Sequence, residues 1–248
     1  MDAPLLTLSG VSFSYFTETE QTKAVSDLDL QVNSGEFVAI VGPSGCGKTS
    51  VLSLVMGLLK PQAGEIRFAR PNVRIGYMLQ RDHLLDWRTV ETNVLLGLEV
   101  QHRLNEETRK NALALLDAYG LGAFRHYHPQ QLSGGMRQKV ALIRTLAIEP
   151  ELLLLDEPFS ALDYQTRLQL SDEVYRIIRD RQKTAILVTH DISEAVSMAD
   201  RVFVFSKRPS RVKTVIETGF DPGASPLDRR HMPSFLSLYD RVWKEIDR

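Results

Sequence analysis

The chain has 248 residues, 43% hydrophobic and 25% charged, an ordinary globular usage that excludes wholesale disorder and collagen-like repeats. Lys and Arg number 30 against 31 Asp and Glu, a formal net charge of −1, which argues against a protein whose main business is gripping nucleic acid through bulk charge and leaves a local basic patch open. The only cysteine, Cys46, permits no internal disulfide and favours a reducing compartment. Residues 1–10 lack a basic stretch followed by an apolar run, and no secretory signal is expected. No apolar run approaches the roughly 18–20 residues that span a bilayer, so the chain reads as soluble and cytoplasmic. In chain order, short β-like runs alternate with helical ones, which predicts an α/β fold. Residues 5–15 and 23–32 read as strands, followed by the buried run 37–41, a Gly-rich turn and a helical stretch to Leu59. Residues 61–64 end that helix, and strands return at 65–68 and 74–79. Helices are predicted over 89–100, 105–119 and 134–147, where apolar residues recur at three- and four-residue spacings. The wholly apolar run 152–155 suits a buried parallel strand. Helix 164–179, strand 184–189 and helix 192–199 follow, the last opened by Asp191 with Glu194 as a capping box. Strands 201–205 and 211–218, a Pro/Gly-rich link at 221–226 and an amphipathic helix at 235–246 complete the chain.

Chemistry concentrates first at residues 42–49, Gly-Pro-Ser-Gly-Cys-Gly-Lys-Thr, which satisfy the phosphate-loop pattern between a buried strand and a helix. The glycines let backbone N–H groups close around a β-phosphate, where the helix N-terminus adds partial positive charge. Lys48 supplies a point charge for the β- and γ-phosphates, and Thr49 a hydroxyl ligand for Mg²⁺. The run 152–157 is an apolar strand that ends in two carboxylates. Asp156 at such a strand end holds Mg²⁺, usually through water, and Glu157 is placed to polarise a water for attack on the γ-phosphate.

Residues 132–138, Leu-Ser-Gly-Gly-Met-Arg-Gln, resemble the signature motif of ABC ATPases, the nucleotide-binding subunits of ATP-driven transporters. Matching pieces run from Tyr15 to His190 in the family's order. The resemblance implies a P-loop NTPase (RecA-like) α/β core, an N-terminal antiparallel β subdomain and an inserted α-helical signature subdomain. The ATPase domain would span 1–218, with the helical insert at about 81–146, and 219–248 would form a linker and C-terminal helix. The catalytic residues it implies are Lys48, Gln80, Glu157 and His190, with Thr49, Gln80 and Asp156 at the metal. ATP would be held by Tyr15 stacking on adenine, by Gly42, Pro43, Ser44, Gly45, Cys46, Gly47, Lys48, Thr49 and Ser50, and by Ser133, Gly134, Gly135, Gln138 and Asp163. Tyr15 also suits plain strand packing, since Phe13 and Phe16 lie alongside and are stacking candidates themselves. Ser133 sits where a helix N-cap belongs, and the two glycines after it let backbone approach a phosphate. By resemblance that phosphate belongs to ATP on a second copy, so a homodimer sandwiching two ATP molecules is implied.

Family members attach to membrane subunits through the helical insert. The resemblance therefore implies two separate integral-membrane permease subunits, indirectly a solute-binding protein, no nucleic acid, and a peripheral place on the cytoplasmic face of the membrane. Residues 80–87, Gln-Arg-Asp-His-Leu-Leu-Asp-Trp, are similar to the segment of nitrate/sulfonate/taurine importer ATPases, a group that also serves pyrimidine-type precursors. Asp86 departs from the proline common there. Trp87 is either a core aromatic or part of the groove for a permease helix, and the tail helix either plain packing or a dimer contact. A soluble ABC ATPase of assembly processes and an exporter ATPase are the alternatives.

Overall fold

Alternating apolar and polar residues build the first sheet. β1 (Leu6–Phe16) pairs antiparallel with β2 (Gln21–Val32). The computed structural model describes residues 4–17 and 19–247, so the first three residues of the stretch read for a secretory signal lie outside the described part. The chain divides into two compact units, residues 1–73 with 171–248, and residues 74–170.

In the first unit, β3 (Phe37–Val41) is buried at every position, as a strand covered on both faces must be. It leads into α1 (Lys48–Val55), which stops short of the expected Leu59. The cause is Gly57, whose φ of 79° is the left-handed conformation of a helix stop. Gly57 N donates to Leu54 O at 3.1 Å and Leu58 N to Ser53 O at 2.9 Å, the paired bonds that close a helix C-terminus. β4 (Ala63–Phe68) then pairs antiparallel with β1, taking up Ala63 and Gly64, which were expected in the turn.

In the second unit, β5 (Ile75–Met78) runs beside the later β6 (Leu152–Asp156) in parallel, with Met78 opposite Leu155. Between them lie α2 (Val90–Val100), α3 (Glu106–Ala118) and α4 (Gly134–Ala147), each started by a side-chain cap, from Thr89, Asn105 and Ser133 respectively. α5 (Tyr164–Asp180) carries the chain back to the first unit.

There β7 (Thr184–Val188) and β8 (Arg201–Phe205) flank β3 in parallel, and β9 (Val212–Glu217) pairs antiparallel with β8. α6 (Ile192–Met198) begins at the Asp191 cap, which accepts from Ser193 N at 2.8 Å and Glu194 N at 3.3 Å. The capping box expected there is relayed. Asp191 N donates to Thr189 Oγ1 at 3.0 Å, and that hydroxyl donates to Glu194 at 2.6 Å. The segment 221–226, expected as a plain link, ends in a short helix, α7 (Pro226–His231), before α8 (Pro233–Asp247). Ser225 and Asp228 form a reciprocal capping box there with Pro226 in the first turn. Phe235 and Val242 of α8 are buried. The mixed α/β architecture, with its antiparallel N-terminal sheet and parallel core strands, is the expected one. Among the described residues no helix is long and apolar enough to cross a membrane.

Candidate nucleotide site

The first unit holds the phosphate loop. β3 delivers the chain into Gly42, where an added Cβ would lie 3.0 Å from Phe205 Cβ, so only glycine fits without movement. Gly47 caps α1 with φ 119°, and a Cβ there would lie 2.9 Å from Ala24 O. Both constraints let the loop's backbone pack directly against Phe205 of β8 and Ala24 of β2. Lys48 is buried and arches back over the loop, its Nζ donating to Gly42 O at 2.9 Å and Pro43 O at 3.1 Å. A phosphate oxygen is a stronger partner for an ammonium than these neutral carbonyls. Ser44, Gly45 and Thr49 are exposed, while Ser50 is buried and shares a 3.0 Å hydrogen bond with the Tyr15 hydroxyl. That bond ties the proposed adenine-side aromatic to α1. Phe13 is buried and meets Tyr15 edge-on at 4.9 Å, whereas Tyr15 is 43% and Phe16 66% exposed. Phe13 therefore belongs to the core, and the stacking candidates reduce to Tyr15 and Phe16. Cys46 is buried, and burial pushes its thiol pKa up against the opposing pull of Lys48. His190 is exposed, at the end of β7 and one residue before the cap of α6.

The second unit holds the acids and the signature. The parallel register that sets Met78 opposite Leu155 places Gln80 across from Glu157, and Gln80 Nε2 donates to Glu157 Oε2 at 3.1 Å. Glu157 has φ 46°, a strained conformation for a non-glycine residue, and its carbonyl accepts from Ser160 N at 3.2 Å and Ser160 Oγ at 3.0 Å. Asp156 is buried, and the Tyr77 hydroxyl approaches its Oδ2 at 3.4 Å. Ser133 caps α4, accepting from Met136 N at 3.3 Å, as its place in the sequence requires. Gly134 is exposed beside it. At Gly135 a Cβ would lie 2.8 Å from Thr166 Cγ2. Asp163 accepts from Thr166 N at 3.1 Å, and hydrogen bonding to Thr166 holds its carboxyl below the usual range. Gln138 is buried, its Nε2 directed to Gln80 O at 3.5 Å.

The segment after Gln80 is clamped by side-chain contacts that motif reading did not assign. Arg144 donates to Asp82 O at 2.6 Å and His83 O at 2.8 Å, and Arg137 Nε to Asp82 Oδ2 at 3.1 Å. From α2, Asn93 accepts from Leu85 N at 2.8 Å and donates to Leu85 O, Arg88 O and Thr89 O at 3.0–3.1 Å. A polar Asn on the apolar face of a predicted helix was the available signal. Trp87 is 75% exposed, so it is not a core aromatic. With Arg88, Thr92, Leu95, Glu99 and Leu104 it lines a shallow groove of about 570 Å³. The expected site residues thus fall into two groups, one per unit. Tyr15, residues 42–50 and His190 belong to the first; Gln80, Ser133, Gly134, Gly135, Gln138, Asp156, Glu157 and Asp163 belong to the second.

A family model described as ABC transporter matches residues 25–160. An uncharacterized ABC transporter ATP-binding protein of Bacillus subtilis, YtlC, is 46% identical over 96% of this chain and 94% of its own length. The taurine import ATP-binding protein TauB of Yersinia pestis is 41% identical over 87% of this chain and 85% of its own. Among solved structures, the dimeric bacterial ABC transporter cassette MJ0796 superposes with a TM-score of 0.76 at 32% identity. That match covers 87% of this chain and all of the cassette, 100%.

Proposed function

We propose that this chain, which belongs to the ABC transporter family of ATPases, is the ATP-hydrolysing subunit of an importer. Its cargo would be a small solute of the nitrate, sulfonate, taurine or pyrimidine-precursor class. The observation that carries the ATP-binding part is the phosphate loop. There a buried Lys48 ammonium, held 2.9 Å from Gly42 O, crowns a glycine-restricted turn at the N-terminus of α1. In this reading Lys48 moves from the loop carbonyls to the phosphates, the loop N–H groups hold the β-phosphate, and Tyr15 faces adenine. Thr49, Gln80 and Asp156 offer oxygen donors, the set that Mg²⁺ prefers. When bound, Mg²⁺ neutralises phosphate charge and orients the γ-phosphate.

Glu157 takes a proton from the attacking water as it adds in line to the γ-phosphorus, releasing ADP and phosphate. The Gln80 amide on the Glu157 carboxylate supports this role, because it orients the acid before water arrives. His190 contacts the γ-phosphate. Ser133, Gly134, Gly135 and Asp163 serve the ATP of a second copy, so hydrolysis needs a homodimer. Two permease subunits dock on the second unit's helical surface, where the Trp87 groove offers an exposed aromatic beside an Arg88–Glu99 ion pair of 2.6 Å. The chain then works peripherally at the cytoplasmic face of the membrane.

Glu157→Gln tests the chemistry. It keeps the side chain's shape but loses the proton acceptor, so kcat should fall by about 10²–10³-fold. ATP should still bind and hold a dimer visible by size-exclusion chromatography. Wild-type turnover in this variant would remove Glu157 from its role.

A further inference from the structure

Arg229, on α7, is 0% exposed and is the largest fully buried side chain among the described residues. A guanidinium in such a place is costly unless hydrogen-bonded, and a well-packed apolar residue would fill the space at lower cost. Its Nη1 donates to Ser197 O at 3.1 Å, and its Nη2 donates to Asp221 O at 2.8 Å and to the Tyr175 hydroxyl. That hydroxyl in turn donates to Pro222 O at 2.9 Å. The rings of Tyr175 and Phe220 face the guanidinium carbon at 4.7 Å and 5.5 Å. Among the described residues no carboxylate lies within ion-pair distance of it.

The bond to Ser197 O indicates what the cation does there. Ser197 lies in the last turn of α6, a helix of seven residues that is too short to hold itself. Carbonyls of the last turn lack intrahelical partners, and the helix dipole leaves partial negative charge there. Arg229 supplies both a donor and a positive charge. Thr218 Oγ1 donates to the carbonyl of the C-cap residue, Ala199 O, at 2.7 Å. At the other end of α6 the Asp191 cap and the Thr189–Glu194 bond fix the start of the helix, and His190 comes directly before that cap. The helix is tied at both ends, and one tie comes from the C-terminal segment.

We infer that Arg229 is a positioning residue for His190: by anchoring the C-terminal end of α6, it holds the helix in the place from which His190 reaches the γ-phosphate. The inference rests on the ATPase reading above, and it makes the C-terminal segment part of the catalytic apparatus.

The test compares wild type, Arg229→Met and Arg229→Lys in the full chain, with kcat expressed per ATP-binding-competent molecule. Arg229→Met should lose about tenfold in kcat with KM for ATP within about twofold, as expected for displaced chemistry with intact binding. Arg229→Lys should recover at least half of that loss on a logarithmic scale. In single-turnover assays on a His190→Ala background, Arg229→Met should cause no further loss, because both changes remove one function. Should Arg229→Met fail to fold, Tyr175→Phe removes the hydroxyl partner and should give about a threefold kcat loss that also vanishes in the His190→Ala background. Unchanged kcat per competent molecule, or an equal loss with and without His190, would overturn the inference. A wild-type chain without ATPase activity would overturn the ATPase reading and this inference with it; an active wild type with insensitive variants would overturn this inference alone.

Discussion

Cys46 shows how a motif position and its environment set separate properties. The sequence places this thiol inside the phosphate loop, where an alkyl group on it is expected to block ATP by steric intrusion. In the structure the side chain is 2% exposed, with its Sγ 3.9 Å from Lys48 Nζ. Burial is the larger influence on its pKa and raises it; the Lys48 charge pulls the other way and loses. Below that raised pKa the thiolate fraction is smaller than in a free cysteine, so the reactive species is scarce at neutral pH. Maleimide labelling at pH 7.5 should run at least about tenfold slower than for glutathione and accelerate as pH rises. Complete labelling should then abolish ATP binding. Labelling at the free-thiol rate would show that the loop opens readily. The phosphate loop itself was legible because its glycines answer to steric limits that any sequence must obey, here the Ala24 and Phe205 atoms facing Gly47 and Gly42. Tyr77 against Asp156, and Asn93 against the 85–89 backbone, were not legible. Each depends on a strand register or helix placement that no local pattern encodes.

The apolar runs of β3 and β6 carry their own signature, and both strands lie where the sequence put them, with β6 one residue longer. Ends were harder. α1 stops early because Gly57 adopts φ 79°, and α7 went unseen although Ser225, Pro226 and Asp228 spell a helix start. A Pro- and Gly-bearing stretch reads as a link until the capping bonds are in view. Between β5 and α2 the chain has no regular structure, yet Asn93, itself 0% exposed, satisfies four backbone groups of that stretch. Asn93→Ala leaves Leu85 N and Arg88 O without that side-chain partner in part-buried surroundings, while Leu85 O keeps Arg88 N and Thr89 O keeps the residue-93 N–H, at a cost of about 2–3 kcal/mol. For a chain of this size the melting temperature should drop by roughly 5–10 °C. A drop under about 1 °C would mean the segment is held by its arginine contacts alone.

At the scale of the molecule, the α/β class was legible because alternation of strand and helix is a whole-chain property, summed over many residues. The exposure of Trp87 was not, since an aromatic reads alike in a core and on a docking surface. The C-terminal segment was legible as an amphipathic helix but not as a partner of α6, a relation made by the buried Arg229. Membership of the ABC transporter family leaves the importer assignment as the claim with most at stake. The direct measurement is to tag the full chain, solubilise native membranes in mild detergent and identify what co-purifies. A polytopic permease should be recovered, and the purified complex should hydrolyse ATP faster when a loaded solute-binding protein is added. Recovery of soluble partners only, with no membrane protein, would contradict the importer reading and leave the ATPase to another process.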